Sequence, residues 1–312
     1  MLNIFGYKQF KFNFIGRRLL WYIIALVFIV PGMVMLAVNG LNLGIDFTGG
    51  SVLEVAYEQE TALEDVREIV ASMVEQTPAV NESNANQFYI RTIELEEEES
   101  QALIAALEEL GPLTVMKTER IGPVIGSELL RSARWAILIA GVLMLLYITF
   151  RFKFDFALTA ILALAHDVLV LLSIFAIFRI EVNSYFIAAV LTIVGYSINN
   201  TIVIFDRIRE NSRFTGKKDY PQLINTSINQ TLTRTINTVL AVLILLFALY
   251  ILGGDTTKTF VLALIIGMFA GFFSSVFLVG NFLNDIIRKL GHDFSAAKSA
   301  RQPVKKKAAV RH

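Results

Sequence analysis

The stretch from Gly195 to Asn211 reads GYSINNTIVIFDRIREN, and it decides the class of protein. It starts inside an apolar run, Tyr185–Phe205, that is long enough to cross a bilayer, and it ends in charged residues. Lipid solvates polar side chains poorly, so each such group inside a span needs a partner or water. A helix used only as an anchor has no need of them, so the stretch predicts a helix that lines a polar pathway. The polar side chains near its middle are Ser197, Asn199, Asn200 and Thr201.

Composition indicates a membrane protein and excludes several kinds of chemistry. The chain has 312 residues, of which 55% are hydrophobic, above the level of ordinary soluble domains. It contains no cysteine, which excludes disulfides, thiol nucleophiles and cysteine-ligated metals, and its three histidines are scattered. No nucleotide-binding P-loop and no credible Ser/His/Asp set is present, so we expect neither an enzyme, nor a metal site, nor a resident cofactor. We expect no nucleic acid partner.

Six apolar runs predict six membrane-spanning helices. Lys and Arg are concentrated at the start of the chain, in the Arg151–Lys153 turn, in the Asp206–Arg234 loop and in the tail. The other short connections carry few, so the positive-inside rule places both termini in the cytoplasm. The predicted spans are Leu19–Val38, Trp135–Phe150, Phe156–Phe178, Tyr185–Phe205, Thr235–Leu252 and Phe260–Leu283.

These spans define a domain organisation. The second span is short, and its alternative start lies a few residues before Trp135. The tail is basic and poor in apolar residues, so we expect it to be disordered and either to contact anionic lipid or an acidic partner or to act as a solubilising end. The predicted segments are a cytoplasmic start over 1–18, the first span over 19–38, an outer domain over 39–134, five spans with short loops over 135–283, and a cytoplasmic tail over 284–312.

The outer domain has the pattern of a small α+β fold. Strand-like alternation at Ser51–Tyr57, Gln87–Ile93 and Leu113–Ile121 is separated by amphipathic helical patterns at Thr61–Val74 and Glu96–Leu110. This order in under 100 residues predicts a ferredoxin-like sandwich inserted between the first two membrane helices. The acidic run at its second helix indicates a solvated helix start. Without catalytic residues of its own, such a domain is typical of a binding or docking module.

Polar residues recur along the fourth and fifth spans. On a helix, Tyr196 and Asn200 lie one turn apart and Ser197 lies three residues before Asn200, which predicts a polar strip halfway along the helix. Arg234 lies near the cytoplasmic end of the fifth span, where it either snorkels or faces this strip. Two charged pairs end the fourth span, Asp206-Arg207 and Arg209-Glu210, and they either anchor it at the interface or take part in function. The further polar residues of both segments are Asn199, Asp206, Arg207, Thr231, Asn237 and Thr238.

An ionisable pair, His166 and Asp167, lies midway along the third span. A carboxylate inside a membrane indicates a functional site, because its charge is costly there. The alternative is an aspartate that is satisfied by a neighbouring helix. In the sixth span, Gly267, Gly271 and Ser275 form a small-residue face that favours close helix packing.

Three motifs together resemble the SecD/SecF family of bacterial protein-export subunits, on its SecF side. They are GIDFTGG after the first span (with Gly44, Asp46, Gly49 and Gly50), the Gly195–Asn211 stretch, and TLTRTINT over Thr231–Thr238. The resemblance runs from about Arg17 to Leu290. It includes the order of the six spans and the outer insert, and the topology also resembles one half of the resistance-nodulation-division transporters.

The resemblance implies a function and a set of partners. Such a subunit acts with SecD in the bacterial inner membrane and uses the proton-motive force to drive or complete preprotein translocation through SecYEG, after the step of the ATPase SecA. The coupling ion is the proton, with sodium as the alternative. The implied partners are SecD, the SecYEG channel, SecA indirectly, YajC, YidC, the translocating preprotein and membrane lipids.

The resemblance also implies an ion-coupling site at Asn200 and Arg234, with Asp167 as a supporting candidate. In the family, the position of Asn200 usually carries Asp, and Asn cannot bind and release a proton. Three explanations fit: an introduced substitution that holds one state, coupling through Asp167 or an acid of SecD, or a homologue with another ion or weak coupling. Asn has the shape of a protonated Asp, so this chain is expected to mimic the protonated state.

Two other functions compete with this interpretation. A half-size exporter of lipid or small molecules predicts a second six-span half with a substrate cleft between the halves. A purely structural subunit predicts that replacing Arg234 by Ala leaves export intact when the complex assembles.

Overall fold

A computed structural model describes residues 12–74, 78–84, 86–213 and 219–290. The tail that was predicted to be disordered over 284–312 begins as helix, because α10 continues to Leu290. The rest of that tail and most of the predicted cytoplasmic start lie outside the described residues. The helices are α1 Arg18–Asn39, α2 Ile45–Thr48, α3 Leu63–Met73, α4 Glu97–Glu108, α5 Pro123–Arg151, α6 Phe154–Ile177, α7 Ser184–Asn211, α8 Tyr220–Leu252, α9 Asp255–Phe273 and α10 Val279–Leu290. The strands are β1 Asn42–Leu43, β2 Gly50–Tyr57, β3 Ala79–Asn84, β4 Gln87–Thr92, β5 Leu113–Ile121 and β6 Glu181–Val182.

Two compact units make up this chain. The bundle unit comprises the chain up to Val38, Gly141–Ile177 and the chain from Ala189 onwards, and the domain unit comprises Asn39–Ala140 and Phe178–Ala188. Six helical segments in the described residues are long and apolar enough to cross a membrane. They are α1 with the short turn before it, α5, α6, α7, α8, and α9 continued through a π-helical turn into α10.

The domain unit contains the predicted ferredoxin-like fold. Its strands and helices follow the order β2-α3-β3-β4-α4-β5, and the four strands form one antiparallel sheet in the order β3-β4-β2-β5. Both helices cover one face of the sheet, where alternate strand residues are buried. Side chains without solvent exposure include Val55, Val66, Phe88, Ile90 and Leu107.

Two features of this domain differ from or refine the sequence prediction. Strand β3 was not predicted, because its sequence AVNESN lacks the apolar alternation of a half-buried strand; it forms one edge of the sheet. The acidic run does begin a helix, since α4 starts at Glu97, and the Glu99 carboxylate accepts a hydrogen bond from the backbone N–H of Glu96 at 2.8 Å. Acidic side chains at this end also favour the helix dipole.

The bundle unit has its own apolar core, formed by the end of α5 and by α6 to α10, together with the chain before α1. The α5 helix starts at Pro123, earlier than the predicted span start at Trp135. Proline is well suited to a first helical position because the N–H that it lacks would have no partner there. Core side chains without exposure include Ile148, Ile204, Phe205, Ile224 and Leu283.

A close helix crossing joins α1 to α6. A Cβ atom added at Gly32 would overlap Cβ and Cα of Ser173, and the Ser173 hydroxyl donates to the carbonyl oxygen of Ile29 at 3.2 Å. Because the overlap includes backbone, the two helices approach at this point only with glycine at position 32.

Candidate functional site

The glycines of the segment Gly44–Gly50 are required by backbone conformation and by space. Gly49 has φ 74° and ψ 168°, a region that is essentially restricted to glycine, and Gly50 has φ 130°. A Cβ at Gly49 would lie 2.7 Å from Cα of Pro123, and one at Gly50 would lie 2.5 Å from the carbonyl oxygen of Thr92. The double glycine therefore lets this segment contact the first residue of α5 and the end of β4 directly.

The same segment is fixed to the turn between α6 and α7. Strand β1 pairs in parallel with β6, and the N–H of Gly44 donates to the carbonyl oxygen of Val182 at 2.8 Å. The Asp46 carboxylate accepts from the backbone N–H of Ser184 at 2.6 Å, which satisfies a free N–H in the first turn of α7. The motif thus holds the first turn of the helix that carries the polar strip.

A partly buried carboxylate, Glu181, joins the motif to the neighbouring strands. It accepts a hydrogen bond from the Tyr89 hydroxyl at 3.2 Å and lies 3.9 Å from Arg91, which itself donates to the carbonyl oxygen of Leu43 at 2.9 Å. Burial raises the pKa of Glu181 above its ordinary value, although Arg91 and Tyr89 oppose the change. Burial, and then the charge of Glu181, raises the pKa of Tyr89 as well.

We expect Glu181→Gln to weaken the pH dependence of stability. Between the ordinary and the raised pKa of this carboxyl, the folded protein binds more protons than the unfolded chain, so stability falls as pH rises. Glutamine keeps an acceptor for Tyr89 and removes this loss. The change of stability with pH is measured by thermal unfolding of the full chain in detergent, from about pH 5 to about pH 8. Glu60→Gln, at an exposed position, is the control. A variant that loses stability on raising the pH as strongly as the unsubstituted chain would contradict the prediction.

In the bundle unit, the predicted intramembrane carboxylate contacts two other helices. Asp167 is 1% exposed. One of its oxygens lies 3.0 Å from Nδ1 of His166, and the other accepts a hydrogen bond from the Ser197 hydroxyl of α7 at 2.5 Å. A Cβ at Gly271 of α9 would lie 3.1 Å from Cβ of Ser197 and 3.6 Å from the same Asp167 oxygen. Three predicted residues, Asp167, Ser197 and Gly271, are therefore neighbours, and the small-residue face of the sixth span makes room for them.

His166 borders a cavity in the bundle. The histidine is 6% exposed, its ring stacks on Phe273 with 5.7 Å between the ring centres, and its Nε2 is buried without a hydrogen-bond partner. The cavity measures about 380 Å³ and is lined by apolar side chains of α1, α6 and α9, with His166 among them. The π-helical turn Ser274–Leu278 directly follows Phe273. Such turns are frequent at functional sites.

The polar strip of α7 contains two unsatisfied groups. Asn200 is 4% exposed, and its Nδ2 is buried without a partner; the Tyr196 hydroxyl is also buried without one. Thr201 is buried too, whereas Asn199 is exposed. A buried amide without a partner is costly, so Asn200 lowers the stability of the bundle.

Arg234 does not contact Asn200 within this chain. Its side chain is exposed, and it makes no ion pair with the described residues. Asn237 and Thr238 are exposed on the same helix. The hydroxyls of Thr231 and Thr238 donate to backbone carbonyls one turn earlier, so they are satisfied locally. An approach of Arg234 to the polar strip stays a prediction.

The charged end of α7 is tied to α5 and α8. Asp206 pairs with Arg151 at 3.7 Å, while Arg207 donates to Gln230 at 2.6 Å and pairs with Glu210. Asn211 donates to Ser227 and to Gln230, at 2.8 Å each. These contacts agree with an anchoring role at the end of the membrane helix.

Sequence reasoning missed several members of these clusters. The cluster of Tyr89, Arg91 and Glu181 joins residues distant in the chain, and no local signal indicated it. The unpaired Nε2 of His166 and the π-helical turn likewise depend on packing; a histidine directly before an intramembrane aspartate was the only signal that pointed to the first.

Two family models match the chain. The C-terminal model of the protein export membrane proteins SecD/SecF matches residues 102–289, and the SecD/SecF GG motif matches residues 34–61. Among curated proteins, the protein translocase subunit SecF of Sebaldella termitidis is 39% identical, with coverage of 84% of this chain and 87% of that protein. The subunits of Dictyoglomus turgidum and Pseudomonas aeruginosa are 38% and 36% identical, with coverage of 88% and 85% of this chain and 96% and 88% of those proteins.

Solved SecDF structures are also similar. The crystal structure of SecDF, a translocon-associated membrane protein from Thermus thermophilus, matches with a TM-score of 0.83 and 35% identity. SecDF in its super-membrane-facing form matches with a TM-score of 0.68 and 34% identity. The matches cover 88% and 90% of this chain, which spans 38% and 39% of the length of those SecDF chains.

These similarities support a multi-pass membrane protein with a role in Sec protein export, and they do not support the half-size exporter. The resemblance predicted from the three motifs is confirmed, because relatives named SecF align with most of the chain. The chain belongs to the SecD/SecF family of protein export membrane proteins.

Proposed function

We propose that this chain, together with a SecD partner, uses an ion gradient to drive or complete preprotein translocation through SecYEG after the step powered by SecA. The observation that carries the proposal is the ionisable pair His166–Asp167, buried inside a membrane bundle of this family. A buried carboxylate is costly in a bundle that serves only as a scaffold, and it gives a coupling ion a place to bind. The proton is the proposed ion, with sodium as the alternative.

The proposed orientation follows from charge. Lys and Arg are concentrated at the chain termini, at the α5–α6 turn and between α7 and α8, which favours the cytoplasm for these parts. The ferredoxin-like domain then lies on the outer side of the bacterial inner membrane, where it handles the emerging preprotein. No catalytic residue is part of this proposal.

SecD is the partner that the bundle itself supports best. Exposed polar side chains on α7 and α8, namely Asn199, Arg234 and Asn237, are unfavourable against lipid. A second membrane half would cover them, and the SecDF chains have room for one, since this chain spans 38% and 39% of their length. YajC, YidC and anionic lipid are proposed as further contacts on family resemblance alone.

The coupling site proposed for the assembled complex comprises Asn200, Arg234 and Asp167. The energy is adequate, since one charge moving through 100 mV yields about 2.3 kcal/mol. A pH gradient adds about 1.4 kcal/mol for each unit. Asn200 cannot titrate, so its part is to position neighbouring groups by hydrogen bonding.

We expect Arg234→Ala to remove the gradient-dependent part of preprotein export. The loss follows because the variant takes away the exposed cation of α8 that is proposed to face the coupling site. Export is measured in vesicles that contain SecYEG, SecA and SecD with either chain, with and without a proton or sodium gradient. Arg209→Ala, at another exposed arginine, is the control and should leave export unchanged.

The rival to this proposal is a purely structural subunit. If Arg234→Ala purifies with SecD as well as the unsubstituted chain does and still responds fully to the gradient, coupling through Arg234 is refuted. Asn200→Asp is the complementary variant. It adds a titratable group and should strengthen the response to a proton gradient.

A further inference from the structure

The contacts of Asp167 distinguish it from an aspartate that is merely satisfied by its neighbours. Its two oxygens face different groups, an ionisable ring on its own helix and a hydroxyl on α7. We propose that His166 and Asp167 form a single proton-binding site, and that Ser197 transmits its charge state to α7. This proposal rests on the proposed function and deepens it, because it names which residues hold the proton in a chain that has Asn at position 200.

The protonation balance of the pair is simple. With the proton bound, the pair is neutral overall, as a carboxylic acid beside a neutral imidazole. Release of that proton to water leaves a carboxylate hydrogen-bonded to the N–H at Nδ1 of His166, with one negative charge in total. No bond other than the one to the transferred proton changes, and the site needs no other reactant.

The unpaired nitrogen of His166 offers a route for the proton. Nε2 is the one atom of the pair that is buried without a partner. The cavity beside His166 measures about 380 Å³. At about 30 Å³ for each water, it has room for roughly a dozen water molecules, but its apolar lining disfavours water. Water that enters the cavity is the proposed partner of His166 in proton exchange.

Ser197 connects the charge of the pair to α7. A hydroxyl that donates to an ionised carboxylate forms a bond about twice as strong as one between neutral groups. The bond of 2.5 Å between Ser197 and Asp167 is therefore strong after proton release and weaker after uptake. Gly271 lies beside both side chains. A shift of α6 relative to α7 therefore changes the packing of α9 as well.

No other charge lies beside the pair in the described residues. The elements next to it, α7 from Ser184 to Phe205, α9 from Val261 onwards and the π-helical turn, carry no charged side chain, and Tyr185 and Tyr196 are their titratable groups. The charged groups of α1 and α10 are Arg18, Asp285, Arg288 and Lys289, of which Arg18 and Asp285 pair with each other at 2.6 Å. On α5, Arg151 pairs with Asp206. On α6 itself, the other charged side chain is Asp155, twelve residues before Asp167 and so about three helical turns away. The proposed proton site is therefore confined to His166 and Asp167.

Infrared difference spectroscopy of the full chain, reconstituted with SecD in lipid, tests the site directly. We expect the C=O band of a protonated carboxyl to disappear as pH is raised, and to be absent at every pH in Asp167→Asn. His166→Gln should shift the pH at which the band disappears, and Ser197→Ala should shift the band itself. Asp155→Asn removes another buried aspartate of α6 and should leave the band in place.

Export assays of the same preparations test coupling. In Asp167→Asn, the rate with a proton gradient should fall to the rate without one, and adding Asn200→Asp should restore part of the response. Absence of a titrating band at Asp167, or full gradient response in Asp167→Asn, overturns this inference while leaving the proposed function standing. If neither the unsubstituted chain nor Asn200→Asp responds to a gradient, the proposed function itself fails. If Asp167→Asn does not assemble with SecD, His166→Gln is the deciding variant. If the carboxyl band of His166→Gln disappears at the same pH as in the unsubstituted chain, the inference is overturned.

Discussion

Gly49→Ala is expected to leave little folded protein, because the position combines a glycine-only backbone with a lack of space. Its φ of 74° and ψ of 168° cost any other residue about 1–3 kcal/mol. The new methyl group would also lie 2.7 Å from Cα and 2.9 Å from N of Pro123, and overpacking of this kind costs about 1–3 kcal/mol more. Since whole proteins are stable by only about 5–15 kcal/mol, this is a large fraction.

The measurement for Gly49→Ala is the yield of chain that purifies with SecD, together with its thermal unfolding. Gly40→Asn is the matched control. Gly40 has φ 62° but nothing within 4 Å of its added Cβ, and asparagine tolerates this conformation. We expect the yield and the thermal stability of this control to be close to those of the unsubstituted chain. Equal stability of the two variants would refute the close approach of this segment to α5.

The second large effect is expected for Gly32→Val, at the crossing of α1 and α6. Even one added carbon would overlap backbone as well as side chain of Ser173, so α1 can accept it only by moving away from α6. Valine also fits a helix less well than most residues. We expect less folded protein in membranes. The measurements are the yield of folded chain after detergent extraction and its sensitivity to protease.

The control for the helix crossing is Gly141→Ala, in α5, where an added Cβ meets nothing within 4 Å. Replacing glycine by alanine in an open helical position should stabilise by up to about 1 kcal/mol. Ser173→Gly combined with Gly32→Ala should recover part of the loss, since it removes the side-chain portion of the overlap. A single Gly32→Ala variant as stable as Gly141→Ala would show that the two helices do not meet at these residues.

The parts of the fold that could be predicted are those in which apolar residues recur at a regular spacing. Long apolar runs predicted the membrane helices, and alternation at Gln87–Ile93 matches the burial of every second residue in β4. Strand β3 lacks that alternation, because it is an edge strand with mostly polar residues, so only its pairing with β4 defines it. The start of α5 was placed too late because polar residues precede its apolar part.

The candidate site was predictable in its members but not in its contacts. An intramembrane aspartate indicated Asp167, because charge is rare in apolar spans. Which hydroxyl would bind it depends on how α6, α7 and α9 pack, and that is set by Gly271 and Gly267. Glu181 carried no signal at all, since its contacts form only when Gly44, Tyr89 and Arg91 come together.

The exposed polar residues of α7 and α8 have a consequence for the supply of this chain in the cell. A chain inserted alone would leave Asn199 and Asn237 exposed within its membrane spans, where lipid solvates them poorly. We therefore expect a chain that is synthesised without its proposed SecD partner to be degraded faster than a chain that has assembled with it. The number of complete complexes in a membrane would then follow the less abundant of the two subunits.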